Sequence, residues 1–447
     1  MFDSVLVANR GEIAVRVIRT VQRLGLRAVA VYSEADADAL HVRMADHAVP
    51  IGPAPAAQSY LVIDGLLAAA RDCGAQAVHP GYGFLAENAD FARAVISAGL
   101  TWIGPAPESI QAMGDKIAAR NAMSDAGVPV APGTREAVTD VEDALAHAHQ
   151  IGYPLMVKAA AGGGGIGMAV VEDESGLREA FETARNRAER FFGSPAILLE
   201  RFVPAARHVE VQILGLADGR MVALGERDCS VQRRHQKVAE ETPSPGVDEA
   251  LRAAMLAAAV RAGEAVSYSG AGTVEFLVDT GRPGHFYFLE MNTRLQVEHP
   301  VTELVTGLDL VEEQLRIAAG AEPSFGASVP APAGHALEFR VYAEDPRRFL
   351  PSPGTIRRWE IPDGEGVRVD AGYAAGDTVT PYYDPLMAKL CVWGEDRAAA
   401  LDRAAEAVAA FVIEGPKNNL PFFGELLADE GFASGDYDTG LISRMRS

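Results

Sequence analysis

Hydrophobic and polar positions along the first 112 residues follow two alternating patterns. Short apolar runs bounded by turn residues predict strands, and segments whose apolar residues recur every three or four positions predict amphipathic helices. Strands that alternate with helices are typical of a parallel sheet. The predicted strands are 4–8, 27–32, 77–79 and 101–103, and the predicted helices are 13–23, 60–73 and 88–98.

From about residue 113 the pattern changes, because a helix at 115–126 leads into a small α/β unit at 131–202. A glycine-rich segment separates two strands of that unit, and longer strands follow it. The predicted helices of the unit are 136–150 and 176–190, and its strands are 155–159, one ending at 171, and 196–201. Later strands are predicted at 209–214, 273–278 and 286–289.

A segment rich in proline, alanine and glycine at 323–334 predicts a linker before a last mixed unit. The strands predicted in that unit are near 336–343, 355–359, 367–370 and 388–392, and its helices are 397–411 and 419–428. At about 150 residues per domain, a chain of 447 residues should form about three domains. We therefore predict an α/β protein with domains at 1–112, 113–322 and 335–441.

Composition narrows the classes of partner. Hydrophobic residues make up 48% of the chain, which predicts a folded core, and the formal net charge of −21 disfavours nucleic acid and anionic membranes. No apolar run approaches the roughly 18 residues of a membrane span. The three cysteines lie far apart, and the first residues lack the pattern of a secretion signal. We expect an unprocessed cytoplasmic protein.

The segment 290–300 carries the densest chemistry in the chain. If the apolar strand before it continues, Glu290 and Asn292 project to one face, and their oxygens suit Mg²⁺ bound to nucleotide phosphates. Arg294 offers a planar fork to a small oxyanion, and Glu298 is a candidate base. The alternative is that residues 290–300 form a charged, solvent-exposed loop after the strand.

A run of four glycines at 162–165, which includes Gly164 and Gly165, follows Lys158 closely. Glycine lets backbone amides approach a phosphate, and the lysine would add a point charge. A flexible connection between two strands is the alternative. The run is not a Walker loop, since no Gly-Lys-Ser/Thr follows it.

Several polar residues lie within strands or charged segments. Glu275 interrupts an apolar strand, so it should be paired or bind metal, and His208 shares a face with Glu210. A solvated surface is the alternative for the segment that contains His235 and Lys237. Cys229 beside that segment is either a nucleophile or, as we prefer, a small buried filler.

Four motifs together resemble biotin carboxylase, a member of the ATP-grasp superfamily. They are 5–14 (Val-Leu-Val-Ala-Asn-Arg-Gly-Glu-Ile-Ala), 79–88 (His-Pro-Gly-Tyr-Gly-Phe-Leu-Ala-Glu-Asn), 226–237 (Glu-Arg-Asp-Cys-Ser-Val-Gln-Arg-Arg-His-Gln-Lys) and 290–300. The resemblance covers nearly the whole chain in the family's order. It implies an N-terminal parallel α/β domain, an ATP-grasp domain with a mobile glycine-loop lid at about 131–202, and a mixed C-terminal domain.

The resemblance also implies roles for individual residues. Arg340 would stabilise the biotin ureido oxygen, although a salt bridge with Glu338 or Glu344 is its alternative. Glu298 would deprotonate bicarbonate. The implied bicarbonate and biotin residues are Lys237, Arg294, Gln296, Val297 and Arg340, and the implied ligands of Mg²⁺ (or Mn²⁺) are Glu275, Glu290 and Asn292. The implied ATP-binding residues are Lys116, Lys158, Gly164, Gly165, Glu200, Arg201, Val203, His208, Gln232 and His235.

The glycine loop departs from the family, which usually has glycine where Ala161 stands and arginine where Ile166 stands. Loss of a cation there would weaken the hold on nucleotide, and we interpret it as tuning. The segment around Lys389 loosely resembles a biotinylation site, but the lysine opens an apolar strand, so we expect a structural role. Biotin would then be carried by a separate protein.

The implied activity is the carboxylation of biotin by ATP and bicarbonate through carboxyphosphate, within a multisubunit acetyl-CoA or other acyl-CoA carboxylase. A biotin carboxyl carrier protein and carboxyltransferase subunits would be the partners, and a homodimer is expected. Two alternatives stay open. One is a carbamoyl-phosphate synthetase half, which should lack the 79–88 string and an Arg340 equivalent. The other is a non-catalytic or altered-substrate ATP-grasp paralogue.

Overall fold

A parallel five-stranded sheet forms the N-terminal part of the computed structural model, which describes residues 2–160, 168–234 and 236–446. The strand order is β3-β2-β1-β4-β5. The strands are β1 (Ser4–Val7), β2 (Arg27–Ser33), β3 (His47–Gly52), β4 (Ala77–His79) and β5 (Thr101–Trp102). The helices are α1 (Gly11–Arg23), α2 (Leu40–Met44), α3 (Ile63–Cys73), α4 (Ala89–Ser97), α5 (Pro107–Gly114) and α6 (Lys116–Asp125).

Both faces of this sheet are covered, which explains why its strands are apolar without alternation. Val5 and Val7 pack on one face with Ile13 of α1, and Leu6 packs on the other with Phe91 of α4. The predicted parallel sheet is thus confirmed. Strand β3 and helix α5 were not predicted. Strand β3 contains a proline, which the edge of a sheet tolerates.

The unit predicted at 131–202 has a three-stranded antiparallel sheet of order β7-β6-β8. Helix α7 begins at Val141, so the prediction of a start near 136 is wrong. The reason is the side chain of Asp140, which accepts hydrogen bonds from the first amides of the helix. The elements are α7 (Val141–Ile151), β6 (Leu155–Ala159), β7 (Ala169–Val171), α8 (Glu174–Phe192) and β8 (Ile197–Arg201).

An eight-stranded antiparallel sheet of order β13-β12-β9-β10-β11-β14-β19-β17 joins the middle of the chain to its last part. Strands β10 and β11 form a hairpin, and β11 pairs with β14 beyond the predicted linker. The middle elements are β9 (Ala206–Gly215), β10 (Met221–Arg233), β11 (Gln236–Thr242), α9 (Glu249–Ala265), β12 (Gly270–Asp279), β13 (Phe286–Asn292), α10 (His299–Thr306) and α11 (Leu310–Ala318).

The last part wraps helices around the end of this sheet, with Phe339, Leu390 and Phe423 in its core. The single strand predicted near 355–359 is two strands, which pair with different partners. The elements are β14 (His335–Tyr342), β15 (Gly354–Thr355), β16 (Arg358–Glu360), β17 (Val367–Ala371), β18 (Thr378–Val379), β19 (Leu386–Gly394), α12 (Arg397–Ala410), β20 (Val412–Glu414), α13 (Leu420–Leu427), α14 (Glu430–Ser434) and α15 (Leu441–Met445).

Among the described residues, no helix combines the length and the apolar character needed to cross a lipid bilayer.

Candidate active site

Three oxygen-bearing side chains meet where β12 and β13 pair. Glu275 lies opposite Glu290 in the register, and Asn292 is two residues further along β13, so Glu290 and Asn292 share a face. The amide of Asn292 donates to Glu275 Oε1 at 2.8 Å. Carboxylate and amide oxygens are the hard donors that Mg²⁺ prefers, so this donor set fits the predicted metal.

Lys237, on β11, connects this group to two further carboxylates. Its Nζ lies 2.6 Å from Glu210 Oε2, 2.8 Å from Glu275 Oε1 and 2.7 Å from Glu298 Oε1. His208 Nε2 lies 2.7 Å from the other oxygen of Glu275. One ammonium therefore holds three carboxylates that come from β9, β12 and the segment after β13.

The charges of this cluster shift its pKa values. Burial alone would raise the pKa of Glu298, but Lys237 and then Arg340 hold it well below its ordinary value. Burial would lower the pKa of Lys237, yet the surrounding anionic groups raise it well above its ordinary value. At neutral pH Glu298 is thus an ionised, weak base, and its basicity would increase once a bound anion shares Lys237.

Arg340, on β14, reaches Glu298 from the other side of the cleft. Its Nη2 lies 2.9 Å from Glu298 Oε2 and 2.6 Å from Glu240 Oε1. The alternative salt bridge with Glu344 does not form, because Glu344 pairs with Arg233 at 3.4 Å. Glu240 is a residue that sequence reasoning missed, and burial, against the effect of Arg340, raises its pKa to about 7.

Arg294 is held by side chains from two parts of the chain. Its Nε donates to Glu87 Oε2 at 2.8 Å, and its Nη1 donates to Gln296 Oε1 at 2.8 Å. Gln296 in turn donates to Glu275 at 3.1 Å. Glu87 belongs to the 79–88 motif, so the sequence contained the residue but gave no sign of its contact.

The predicted nucleotide residues lie beside this cluster. Lys158 forms an ion pair with Glu200. The charge of Lys116 also acts on Glu200, so both lysines lie near the same carboxylate. Burial and the nearby charge of Lys158 lower the pKa of Lys116, which is typical of cations gathered to meet an anion. The predicted residues Gly164, Gly165 and His235, and the departures Ala161 and Ile166, lie outside the described residues.

The predicted adenine segment runs along the end of β8. The guanidinium of Arg201 bonds to the carbonyl of Ile151, and its backbone amide donates to Pro132 O at 2.7 Å. Val203, two residues on, is buried and can form an apolar wall. Gln232 pairs with Lys237 across the β10-β11 hairpin, which places it at the edge of the charged cluster.

Two further residues of β10 complete the cluster. Arg227 has no exposed side-chain surface, and its Nε donates to Glu210 Oε1 at 2.6 Å. Sequence reasoning missed it because its motif also contains more accessible cations. Cys229 Sγ lies 3.8 Å from Glu298 Oε1, and burial followed by the charge of Glu210 raises the pKa of its thiol. A protonated thiol is a poor nucleophile, which favours the filler interpretation.

Lys389 is fully buried in the middle of β19. Its Nζ donates to the Val297 carbonyl at 2.8 Å and lies 3.3 Å from Glu12 Oε2. This placement agrees with the expected structural role, since a lysine that is modified must be accessible.

Family models match the chain in three consecutive segments. The model described as "Biotin carboxylase, N-terminal domain" matches residues 1–110, and "Biotin carboxylase C-terminal domain" matches residues 338–444. Residues 115–324 match "Carbamoyl-phosphate synthase L chain, ATP binding domain". The flanking matches separate this chain from carbamoyl-phosphate synthetases, which was one of the alternatives.

Curated relatives extend over almost the whole chain. A biotin carboxylase of Halalkalibacterium halodurans is 52% identical over 443 residues, which is 99% of this chain and 98% of the relative. A propionyl-CoA carboxylase alpha chain of Ruegeria pomeroyi is 49% identical, over 99% of this chain and 68% of its own length.

Solved structures share the fold. A biotin carboxylase–β,γ-ATP complex from Campylobacter jejuni superposes with a TM-score of 0.95 at 43% identity, covering 99% of both chains. The biotin carboxylase domain dimer of 2-oxoglutarate carboxylase from Hydrogenobacter thermophilus, with MgADP, ADP and bicarbonate, gives 0.93 at 43% identity, covering 99% of this chain and 98% of that one. The chain belongs to the biotin carboxylase family.

Proposed function

We propose that the chain is an ATP-grasp ligase that carboxylates biotin with ATP and bicarbonate. The observation that carries this proposal is the single ammonium of Lys237 held by Glu210, Glu275 and Glu298. Such a cation, linked to Arg294 by hydrogen bonds through Glu275 and Gln296, suits a small anion beside a phosphoryl group.

Bicarbonate would lie between Lys237, Arg294 and the backbone at Val297. Glu298 takes its proton, and the oxygen so freed attacks the γ-phosphorus of ATP. The bond from that phosphorus to the bridging oxygen breaks, ADP leaves with the electron pair, and carboxyphosphate is formed. Glu275, Glu290 and Asn292 would hold Mg²⁺ (or Mn²⁺), which neutralises phosphate charge when bound.

Carboxyphosphate then breaks down to CO₂ and phosphate within the closed site. The phosphate accepts the N1 proton of biotin, and N1 attacks CO₂ to give carboxybiotin. Arg340 would stabilise the negative charge that develops on the ureido oxygen during this step. Arg340 donates to Glu298 at 2.9 Å, which supports one shared cleft for both half-reactions.

The test is the release of ADP by the full chain with ATP, bicarbonate and free biotin. Turnover should depend on both bicarbonate and biotin, and Arg340→Ala and Glu298→Gln should each lower it about 100-fold or more. Arg220→Ala is the control, because within the described residues the Arg220 side chain contacts the exposed Asp218 carboxylate and the Ala327 carbonyl.

The opposite result would be nucleotide binding with no response to biotin, even when a biotinylated carrier is supplied. That outcome would favour the non-catalytic paralogue, with Ala161 and Ile166 as its first explanation.

We also propose that a biotinyl carrier and carboxyltransferase subunits act with this chain, and that it forms a homodimer. Relatives of this chain serve carboxylases of different acceptors, so the acyl-CoA would be chosen by the carboxyltransferase. Reconstitution with the carrier and carboxyltransferase, supplied in turn with acetyl-CoA and propionyl-CoA, tests the acceptor. Sedimentation of the purified chain tests the dimer.

A further inference from the structure

Two consecutive carbonyl groups in the segment before α10 are held by buried side chains. Lys389 Nζ donates to the Val297 carbonyl at 2.8 Å, and His299 Nδ1 lies 2.8 Å from the Gln296 carbonyl. Both side chains come from the interior, and neither was part of the predicted site. Val297 lies between these two carbonyls and Glu298 follows directly, at the place proposed for bicarbonate.

The contact of His299 fixes its tautomer. Burial lowers the pKa of His299 well below its ordinary value, and the charges of Lys389 and Arg16 lower it further, so the ring is neutral. A carbonyl oxygen only accepts hydrogen bonds, and Nδ1 therefore carries the ring proton. The bond orients the peptide that joins Gln296 to Val297.

Because a peptide unit is planar, a hydrogen bond that fixes its carbonyl also fixes its N–H group. In a trans peptide the N–H points opposite to the C=O, so fixing the Gln296 carbonyl also fixes the Val297 N–H. Fixing the Val297 carbonyl sets the next peptide, which ends at the α-carbon of Glu298. Lys237 and Arg340 already hold the carboxylate of Glu298 at 2.7 and 2.9 Å, so Lys389 controls the other end of the same residue.

The ammonium of Lys389 is itself held from the N-terminal part of the chain. Glu12, in the first turn of α1, has its Oε2 3.3 Å from Lys389 Nζ and is buried. The turn is tightly packed, because a β-carbon added to Gly372 would lie 2.4 Å from the Glu12 amide nitrogen. A fully buried ammonium needs such a counter-charge, since removing an unpaired charge from water is costly.

We propose that Lys389 is a positioning residue for bicarbonate, which fixes the Val297–Glu298 peptide while Glu12 keeps its ammonium in place. This inference rests on the proposed function. It assigns a role to a residue that touches neither ATP nor biotin, and it makes the N-terminal helix part of the bicarbonate site.

Steady-state kinetics of Lys389→Met in the full chain tests the proposal. We expect the KM for bicarbonate to rise tenfold or more and kcat to fall, while the KM for ATP stays within twofold of the unsubstituted chain. Arg397→Met is the matched control, because Arg397 pairs with buried Glu241. Adjacent residues of a strand face opposite sides, so Glu241 and the Arg340 partner Glu240 lie on opposite faces of the sheet. The control should lower thermal stability without a selective effect on bicarbonate.

Equal increases of both KM values, or a normal bicarbonate KM in folded Lys389→Met, would overturn the proposal. If Lys389→Met does not fold, Glu12→Gln is used at pH 8, because burial raises the pKa of Glu12 to about 7 and its side chain is ionised above that pH. The substitution keeps the shape but removes the counter-charge. We expect it to raise the bicarbonate KM at least threefold, and an unchanged value would also overturn the proposal. Absence of biotin-dependent turnover in the unsubstituted chain would instead reject the proposed function.

Discussion

Replacing Lys237 by methionine removes the cation that three carboxylates share, while its length and apolar stem are kept. The carboxylates of Glu210, Glu275 and Glu298 would then surround an uncharged side chain, and all three are buried. Removing one partner of a buried ion pair costs about 3–5 kcal/mol of folding free energy. If the chain of 447 residues unfolds in one step, an unfolding entropy of about 2.1 cal/mol/K per residue makes this a fall of about 3–5 °C in Tm.

The loss should depend on pH in a defined direction. In the unsubstituted chain the pKa of Glu298 lies well below its ordinary value of 4.5, so its contribution to stability is constant above that pH. Without Lys237, burial raises the pKa of the carboxylates, and folding then takes up a proton. That contribution is complete below pH 4.5 and is lost as pH rises through the raised pKa.

The assay is thermal unfolding followed by circular dichroism at several pH values between 5.5 and 8. The difference in Tm between Lys237→Met and the unsubstituted chain should grow as pH rises. A difference that does not change with pH, or that narrows, would refute the reasoning, because the carboxylates would then not depend on Lys237 for their charge. Bicarbonate-dependent ADP release should fall at least about 100-fold in the same variant.

Three further outcomes follow from single contacts. Lys158→Met should raise the KM for ATP about tenfold, which is about 1.4 kcal/mol, without a comparable change for bicarbonate, as measured by substrate saturation. Glu87→Gln should raise the bicarbonate KM about threefold, because Arg294 loses a charged acceptor that is partly exposed. Burial would raise the pKa of Glu241, but hydrogen bonds from His335 and Arg397 lower it to about 2. The contribution of Glu241 to stability is therefore present above pH 4.5 and is lost as pH falls. In Glu241→Gln the fall of Tm between pH 5 and 3 should be shallower.

The sequence predicted best those elements whose surroundings are uniform. Strands β4 and β6 match their predicted limits, because both are short apolar runs with clear turn residues beside them. Strand β10 was not predicted. Its buried charged residues, among them Arg227 and Asp228, break the hydrophobic pattern, and only their long-range ion pairs explain why they lie inside.

The sequence indicated individual candidate site residues, but it did not predict the ion pairs and hydrogen bonds between them. The resemblance to the family indicated Lys237, Glu298 and Arg340. In the structure Glu298 forms ion pairs with both cations, at 2.7 Å from Lys237 and 2.9 Å from Arg340. Glu240 is far in the sequence from its partner Arg340, and Glu87 is far from its partner Arg294. Nothing in a linear pattern marks such contacts. The glycine-loop predictions and the predicted domain limits remain predictions.

The eight-stranded sheet also limits how chains of this architecture can be divided or recombined. The pairing of β11 with β14 crosses the segment 323–334, which otherwise looks like a convenient place to cut. A fragment that stops there would leave β11 as a long open edge, ready to pair with another chain and aggregate. Exchange of the C-terminal part between relatives would therefore replace three of the eight strands of a continuous sheet, and a chimera should fold only when the donor's β14 fits the recipient's β11.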